Sequence, residues 1–260
     1  CADSLAKASW TVALAGRRAD LILTDSPYNV PILGNVSARH SVFVMGAGEL
    51  SEAGFTAFLT TVFQHARAHA RDGAFIYAFM DGAHLYELFA AARAARLTQK
   101  ALCTWAKTNA GMGAFYRSQT EHVGVFKCGG GRHRNNIELG RHGRNRTTLW
   151  AYPGMNAFGR DRAAALKLHP TVKPVGLLAD AILDVTRRAD LVVDPFTGSG
   201  STLLAAHRTG RAAAGIELDP AYVDVALTRI AAITGVDPVR AADGARWSAL
   251  MQQRAAGGAP

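Results

Sequence analysis

The stretch Leu191-Val192-Val193-Asp194-Pro195-Phe196-Thr197-Gly198-Ser199-Gly200 decides the fold. Its first three residues are apolar and branched, the composition of a buried strand. The acid, proline and two glycines that follow end that strand in a turn. Thr202–Thr209 then reads as a short helix. Without a Cβ, Gly198 and Gly200 let the backbone approach a ligand closely. The next strand, Ala212–Glu217, closes on an acid 23 residues past Asp194. In an open α/β sheet such a carboxylate accepts the ribose hydroxyls of a nucleotide. The loop lacks the GxGxxG spacing of a pyrophosphate site, which argues against a nicotinamide or flavin. An opening acid and aromatic suit a zwitterionic methionine tail better.

Outward from this loop the same alternation repeats. Pro174–Arg188 is amphipathic and helical, with proline at a tolerated first-turn position. A last helix runs over Pro220–Thr234, and the Ala- and Gly-rich tail after Ala241 reads as loosely ordered. Near the other end, the apolar run from Ala19 to Thr24 is a buried strand ending in Asp25-Ser26-Pro27-Tyr28-Asn29. Apolar residues at helical spacing follow from Ser51, a plausible N-cap, to Ala70. Gly73 then breaks into a strand, Ala74–Phe79. A helix over His84–Arg96 and strands over Ala101–Trp105 and Glu121–Phe126 complete this half. The order predicts an α/β fold: a Rossmann-like, doubly wound, mostly parallel sheet in a single domain over residues 1–260.

Asp25-Ser26-Pro27-Tyr28 sits at the carboxyl end of its strand, the edge where open α/β sheets bind ligands. An exocyclic amine on a base is a poor nucleophile, because its lone pair is delocalised into the ring. A carboxylate accepting one N–H and a backbone carbonyl accepting the other favour a more nucleophilic geometry. Asp25 and the Ser26 carbonyl are the candidates. Tyr28 offers a flat face for a base that has left its stack. Pro27 restricts the loop and aims the carbonyl. A proline turn capped by an aspartate is the competing reading of these four residues.

Charge adds a second line of argument. Hydrophobic residues make up 49% of the 260, and the net charge is +9. That excludes a disordered chain and favours an anionic partner. The surplus clusters. Between Gly129 and Lys167 stand Arg132, Arg134, Arg141, Arg144, Arg146, Arg160, Arg162 and Lys167 against only Glu138 and Asp161, which is +6 of the total. Residues 129–168 therefore read as a basic insert, either a DNA-binding region or a solvated loop. Asn135 and Asn136 in it are candidates for reading an adenine edge or for forming a turn. The cysteines Cys1, Cys103 and Cys128 form no CxxC, so they read as free thiols, with no metal site expected. No apolar run of membrane length and no signal-peptide pattern occur. The chain opens on Cys1 rather than methionine, which leaves room for an upstream module.

Three motifs together resemble a known family. Asp25-Ser26-Pro27-Tyr28 looks like the (D/N/S)PP(Y/F) catalytic motif of amino-methyltransferases, and Asp194–Gly200 looks like their S-adenosylmethionine loop. His169-Pro170-Thr171-Val172-Lys173-Pro174 resembles the HPTxKP segment that family carries just before the cofactor strand. Catalytic motif first, basic insert next and cofactor loop last resembles the β group of DNA N6-adenine and N4-cytosine methyltransferases, with their circularly permuted motif order. The segment Gly111–Arg117, with Trp105 and Lys107, is similar to one in members linked to ParB-like regions.

The resemblance implies roles. Asp25, Ser26, Pro27 and Tyr28 would take the target base. Asp194, Phe196, Gly198, Ser199 and Gly200 would hold the methionine part of S-adenosylmethionine, and Glu217 the ribose. Lys173, with His169 and Thr171, would close the cofactor pocket. Asp3 and Ser4 resemble an acidic turn that approaches the adenine ring, although Ala2 stands where glycine is common. The insert corresponds to the target-recognition region, with Arg132, Arg134, Arg141, Arg144, Arg146, Arg160 and Arg162 on double-stranded DNA. Ser26 departs from the commoner proline and blurs the base: a leading Asp leans to adenine N6, while serine is more familiar from cytosine-N4 enzymes. The expected function is a cytoplasmic, bacterial or phage-encoded DNA adenine-N6 methyltransferase of the restriction-modification type, dimeric in many relatives. Cytosine N4, RNA, a protein glutamine and a catalytically dead nucleic-acid-binding module are the rivals.

Overall fold

The computed structural model describes residues 1–30, 48–111, 115–141, 145–154 and 173–256. Among them, seven strands build one sheet: β1 (Ala19–Asp25), β2 (Ala70–Met80), β3 (Thr98–Ala106), β4 (Thr120–Lys127), β5 (Leu149–Ala151), β6 (Leu191–Asp194) and β7 (Ala212–Gly215). Their order across the sheet is β5-β3-β4-β2-β1-β6-β7. Only β4 runs against its neighbours, and all other pairs are parallel. The sheet is thus mixed rather than a pure β-α-β series, because β3 and β4 pair antiparallel with no helix among the described residues between them.

Helices cover both faces, which is why the central strands are apolar throughout. On one face lie α1 (Lys7–Leu14), α2 (Glu52–His69) and α3 (Leu85–Ala94). Their Trp10, Phe55, Phe63 and Leu88 pack with Ile22, Ile76 and Phe126 of the sheet. On the other face α4 (Val175–Val185) and α5 (Ser201–Arg208) bury Leu177, Ile182 and Ala205 against Leu21, Phe79 and Val192. Alternate residues of one strand feed the two cores, as Leu21 and Ile22 do. Cys103 belongs to the second core and Cys128 to the first, so the two thiols cannot share a ligand.

Local signals explain the element ends. Ser51 Oγ accepts the Gly54 N–H at 3.1 Å and starts α2. A further helix, α6 (Pro220–Thr234), is capped by Asp219 and closed by Gly235 in the left-handed region. β2 begins earlier than Gly73, which lies inside it at φ +81°; a Cβ there would come 2.4 Å from the Arg132 carbonyl oxygen. The tail after Ala241 is not loose throughout: α7 (Trp247–Ala256) forms there, held by Trp247, with the Arg254 guanidinium 5.7 Å from its ring. Among the described residues no helix is long and apolar enough to cross a membrane.

The strand order positions the site. From β1 the chain steps to β2 on one side, and much later it places β6 on the other. The loops after β1 and β6 therefore leave adjoining parallel strands at the same carboxyl edge, where the winding reverses. Such a crevice is where doubly wound sheets hold ligands.

Candidate active site

Asp25 is the last residue of β1, and its two carboxylate oxygens both carry donors. Lys173 Nζ lies 2.6 Å from Oδ2, and the Tyr28 hydroxyl lies 2.8 Å from Oδ1. A second carboxylate completes the group. Glu121, near the start of β4, approaches Lys173 at 3.0 Å and the Tyr28 hydroxyl at 3.0 Å through Oε2. Its Oε1 accepts Lys107 Nζ at 2.6 Å. Lys107, Glu121, Lys173 and Asp25 thus alternate in sign and sum to zero. Lys173 is also 5.4 Å from the centre of the Tyr28 ring.

Burial sets the electrostatics of this cluster. It pushes the Asp25 carboxyl above its ordinary value, against the pull of Lys173. It likewise raises the Tyr28 phenol, with Asp25 adding to the effect. Burial works against the Lys173 ammonium too, but Asp25 and Glu121 outweigh it and hold the proton more tightly than usual. Glu121 is pulled the other way. Burial would raise its carboxyl, yet Lys173 and then Lys107 bring it down to about 2. The loop behind Tyr28 is pinned by Asn29, at φ +54°, whose Nδ2 donates to the Leu50 carbonyl at 2.7 Å.

The second loop follows β6. Asp194 is buried, and its Oδ1 accepts the Phe196 N–H at 3.1 Å. Burial pushes its carboxyl up to about 7. Gly198 and Gly200 both take positive φ, at 50° and 78°, as the close turn requires. Glu217, just beyond β7, accepts the Gly198 N–H at 2.7 Å and the Asp219 N–H at 2.9 Å, so it fixes the loop while retaining lone pairs for a ligand. The Ala2 N–H donates to the Glu217 carbonyl at 2.7 Å, which brings Asp3 and Ser4 beside this loop. Asp3 Oδ1 itself accepts the Leu5 N–H at 2.8 Å. Phe196 rests on Phe58, with ring centres 5.8 Å apart. Ser199 Oγ accepts from Arg229 at 3.0 Å.

Two buried hydroxyls at this edge, Thr24 Oγ1 and Ser26 Oγ, have no partner among the described residues. Unsatisfied polar atoms at the carboxyl end of β1, next to β6, fit a site that receives a polar ligand.

The structure therefore gathers Asp25, Ser26, Pro27, Tyr28 and Lys173 at one edge, with Asp194–Gly200, Glu217 and Asp3 on the neighbouring strands. It places Lys173 on the Asp25 carboxylate rather than among the residues expected around the cofactor. Glu121, Lys107 and Arg229 are members that sequence reasoning missed. Glu121 sits in a strand whose outer positions are polar, so it reads as solvent-facing until Lys173 arrives from 52 residues away (173 against 121). His169, Thr171, Arg144, Arg160 and Arg162 lie outside the described residues.

The basic insert needs correction. β4 ends at the edge opposite Asp25, so Gly129–Asn136 starts on the far side of the sheet. There Arg134 is ion-paired with Asp190, and Asn136 Nδ2 donates to the Leu183 and Thr186 carbonyls at 2.9 and 2.7 Å. Asn136 is thus committed to the end of α4 rather than to a base. Arg146 packs inward as well: Nε meets Asp184 at 2.9 Å and the guanidinium lies 4.9 Å from the Trp150 ring centre. Arg132 and Arg141 are exposed, and Arg141 approaches Glu138 at 3.8 Å. Charge counting along the chain could not separate arginines that satisfy internal acids from those left at the surface.

The site joins two loops on adjoining parallel strands, one glycine-turned and one centred on a half-buried carboxylate with a tyrosine, an arrangement that fits the methyltransferase class. Residues 19–228 match the N6/N4 DNA methylase family, described simply as DNA methylase, and the chain belongs to that family. Over 90 residues it is 31% identical to the type II methyltransferase M.ScaI of Streptomyces caespitosus, a stretch covering 35% of this chain and 30% of M.ScaI. The crystal structure of the M1.HpyAVI–SAM complex is similar with a TM-score of 0.65 at 19% identity, over 88% of this chain and 96% of that one. The cytosine-N4-specific PvuII DNA methyltransferase gives a TM-score of 0.66 at 17% identity, over 88% of this chain and 84% of that one. Those two likenesses bear on the fold alone.

Proposed function

We propose that this chain transfers a methyl group from S-adenosylmethionine to the exocyclic N6 of adenine in double-stranded DNA. The observation that carries the reading is the ammonium of Lys173 seated 2.6 Å from Asp25, a nitrogen donor on the acceptor that a base amine would need. When bound, S-adenosylmethionine supplies an electrophilic methyl on a sulfonium. Asp194, Phe196, Gly198, Ser199 and Gly200 would hold its amino-acid end, Glu217 its ribose, and Asp3 with Ser4 would border its adenine. The partnerless hydroxyls and the close glycine turn support that assignment.

The chain's own residues supply the rest. A target base that has left the duplex stacks on Tyr28, and its amine replaces Lys173 on Asp25. Glu121 retains the displaced ammonium, while Asp25 keeps its charge and turns it to the N–H of the neutral amine. Asp25 and the Ser26 carbonyl then accept the two N–H groups and direct the lone pair outward, which concentrates the catalytic gain in alignment and electrostatics. None of the cysteines takes part.

The catalytic loop preceding the cofactor loop supports the permuted motif order of the β group. The insert over residues 129–168, with Arg160 and Arg162, would supply the target-recognition contacts, as the family resemblance implies. Ser26 favours one second reading, the same transfer to cytosine N4. Incubation with labelled S-adenosylmethionine and unmethylated genomic DNA, followed by mass spectrometry of the nucleosides, tests both. N6-methyladenine is the expected product; N4-methylcytosine moves the substrate, and unlabelled DNA overturns the proposal.

A further inference from the structure

The β3–β4 hairpin does not stop at the sheet. Beyond it the Lys107 N–H donates to the Gln119 carbonyl at 2.9 Å, and the Gly111 N–H to the Ser118 carbonyl at 2.8 Å. Gln119 Nε2 adds a bond to the Lys107 carbonyl at 2.8 Å. This arm leaves the same edge as the Asp25 loop, because β3 runs parallel to β1 through β2 and β4. Towards its tip stand Phe115 and Tyr116, 85% and 89% exposed, with ring centres 4.3 Å apart. Scattered single apolar residues on a surface are ordinary, but two touching aromatic rings held out in water on a braced arm mark a contact surface.

The arm is rooted in the site. Lys107 at its base is the residue whose ammonium grips Glu121, and Glu121 in turn holds Lys173 and the Tyr28 hydroxyl. Asp25 lies opposite Phe79, and Phe79 opposite Val123, so the strand that carries the arm is offset from Asp25 by two strand spacings across the sheet, about 10 Å, and the rings stand further out along the arm at the same edge. Exposed Arg117 follows the rings directly, and the chain carries +9 overall. Flat rings beside a cation match stacked bases beside phosphates, and match an apolar protein surface less well.

A base drawn out of the duplex leaves a gap in the stack, and apolar or aromatic side chains fill such gaps in proteins that unstack DNA. We infer that Phe115 and Tyr116 are a wedge that enters the duplex beside the target and occupies the space the base vacates. The inference rests on the reading of the site as one that methylates a base in DNA.

The test uses the full chain and its Phe115→Ala/Tyr116→Ala double variant. Sequencing of genomic DNA methylated by the wild type first gives the target site. Two duplexes carrying that site are then compared, one fully paired and one with an abasic position opposite the target base. On the paired duplex the variant is expected to lose about ten- to a hundred-fold in kcat/KM, the scale of one or two lost stacking contacts. On the abasic duplex, where the target base has no partner to leave, it recovers to near the wild-type rate. Equal losses on both duplexes overturn the wedge while leaving the methylation reading intact. So does a variant that loses activity because a wild-type dimer has become monomeric by sedimentation, since the rings then serve a second copy of the chain. A wild type that methylates no duplex removes the reading on which the wedge stands, and the wedge with it.

Discussion

Replacing Glu121 with Gln keeps the shape of the side chain and removes its charge from between two lysines. Lys173 then retains Asp25 as its one carboxylate among the described residues, beside the Tyr28 hydroxyl at 3.2 Å, and Lys107 loses its 2.6 Å carboxylate contact. Removing one partner of a buried ion pair typically costs about 3–5 kcal/mol. Lys107 is 25% exposed and can turn to water, which puts the expected loss near the lower end, about 3 kcal/mol. For a chain of this length that corresponds to a melting temperature lower by roughly 6–12 °C. Thermal unfolding followed by circular dichroism reads it directly. The pH dependence carries the sign. Despite burial, Lys173 and Lys107 hold the Glu121 carboxyl at about 2, against an ordinary 4.5. A depressed carboxylate contributes stability that is complete above its ordinary value and is lost as pH falls towards the folded one. The gap between wild type and variant should therefore be full at neutral pH and narrow below 4.5. A variant that melts within about 2 °C of the wild type at neutral pH, or a gap that does not narrow in acid, refutes the alternating-charge account.

Two further predictions concern the cofactor loop and the insert. Asp194→Asn should weaken S-adenosylmethionine binding most above pH 7, because the buried carboxyl ionises only at about 7 and a cationic ligand group needs it charged. In calorimetric titrations the wild-type affinity should rise through that range and the variant's should stay flat, whereas parallel curves count against Asp194 as the contact. The same carboxyl is raised above its ordinary 3.8, so the wild type loses stability as pH climbs from there to about 7 and the Asn variant does not, a difference that melting curves record. Arg146→Ala should destabilise the fold by about 3 kcal/mol by taking the 2.9 Å cation from buried Asp184, while leaving the salt dependence of DNA binding unchanged. A salt slope reduced by about one unit would mean that Arg146 reaches a phosphate after all.

How much of this was legible in the sequence depended on how local each signal was. Both loops at the carboxyl edge were readable because an apolar strand, an acid and a turn follow one another within ten residues of chain, as in Leu191–Gly200. α2 and α6 announced themselves through Ser51 and Asp219 caps and regular apolar spacing. α1 gave no such sign: it has no side-chain cap, and only Trp10 and Leu14 of its eight residues are buried. α7 hides in an Ala-rich tail and depends on a single buried residue, Trp247. β5 is three residues long and exists only because β3 offers it an edge. The site's second carboxylate and the fate of Arg134 and Arg146 were illegible for a different reason. Their roles are fixed by partners such as Lys173, Asp190 and Asp184, which only the fold brings near.

The most direct test of the central claim is the rate of methyl transfer from S-adenosylmethionine to unmethylated DNA by Asp25→Ala beside the wild type, with cofactor affinity measured on both. The expected result is a rate lower by at least about a hundred-fold, the scale of losing one preorganised contact to the reacting group, with cofactor affinity little changed. Near-wild-type turnover by the variant would contradict the assignment of Asp25 as the acceptor that prepares the target amine.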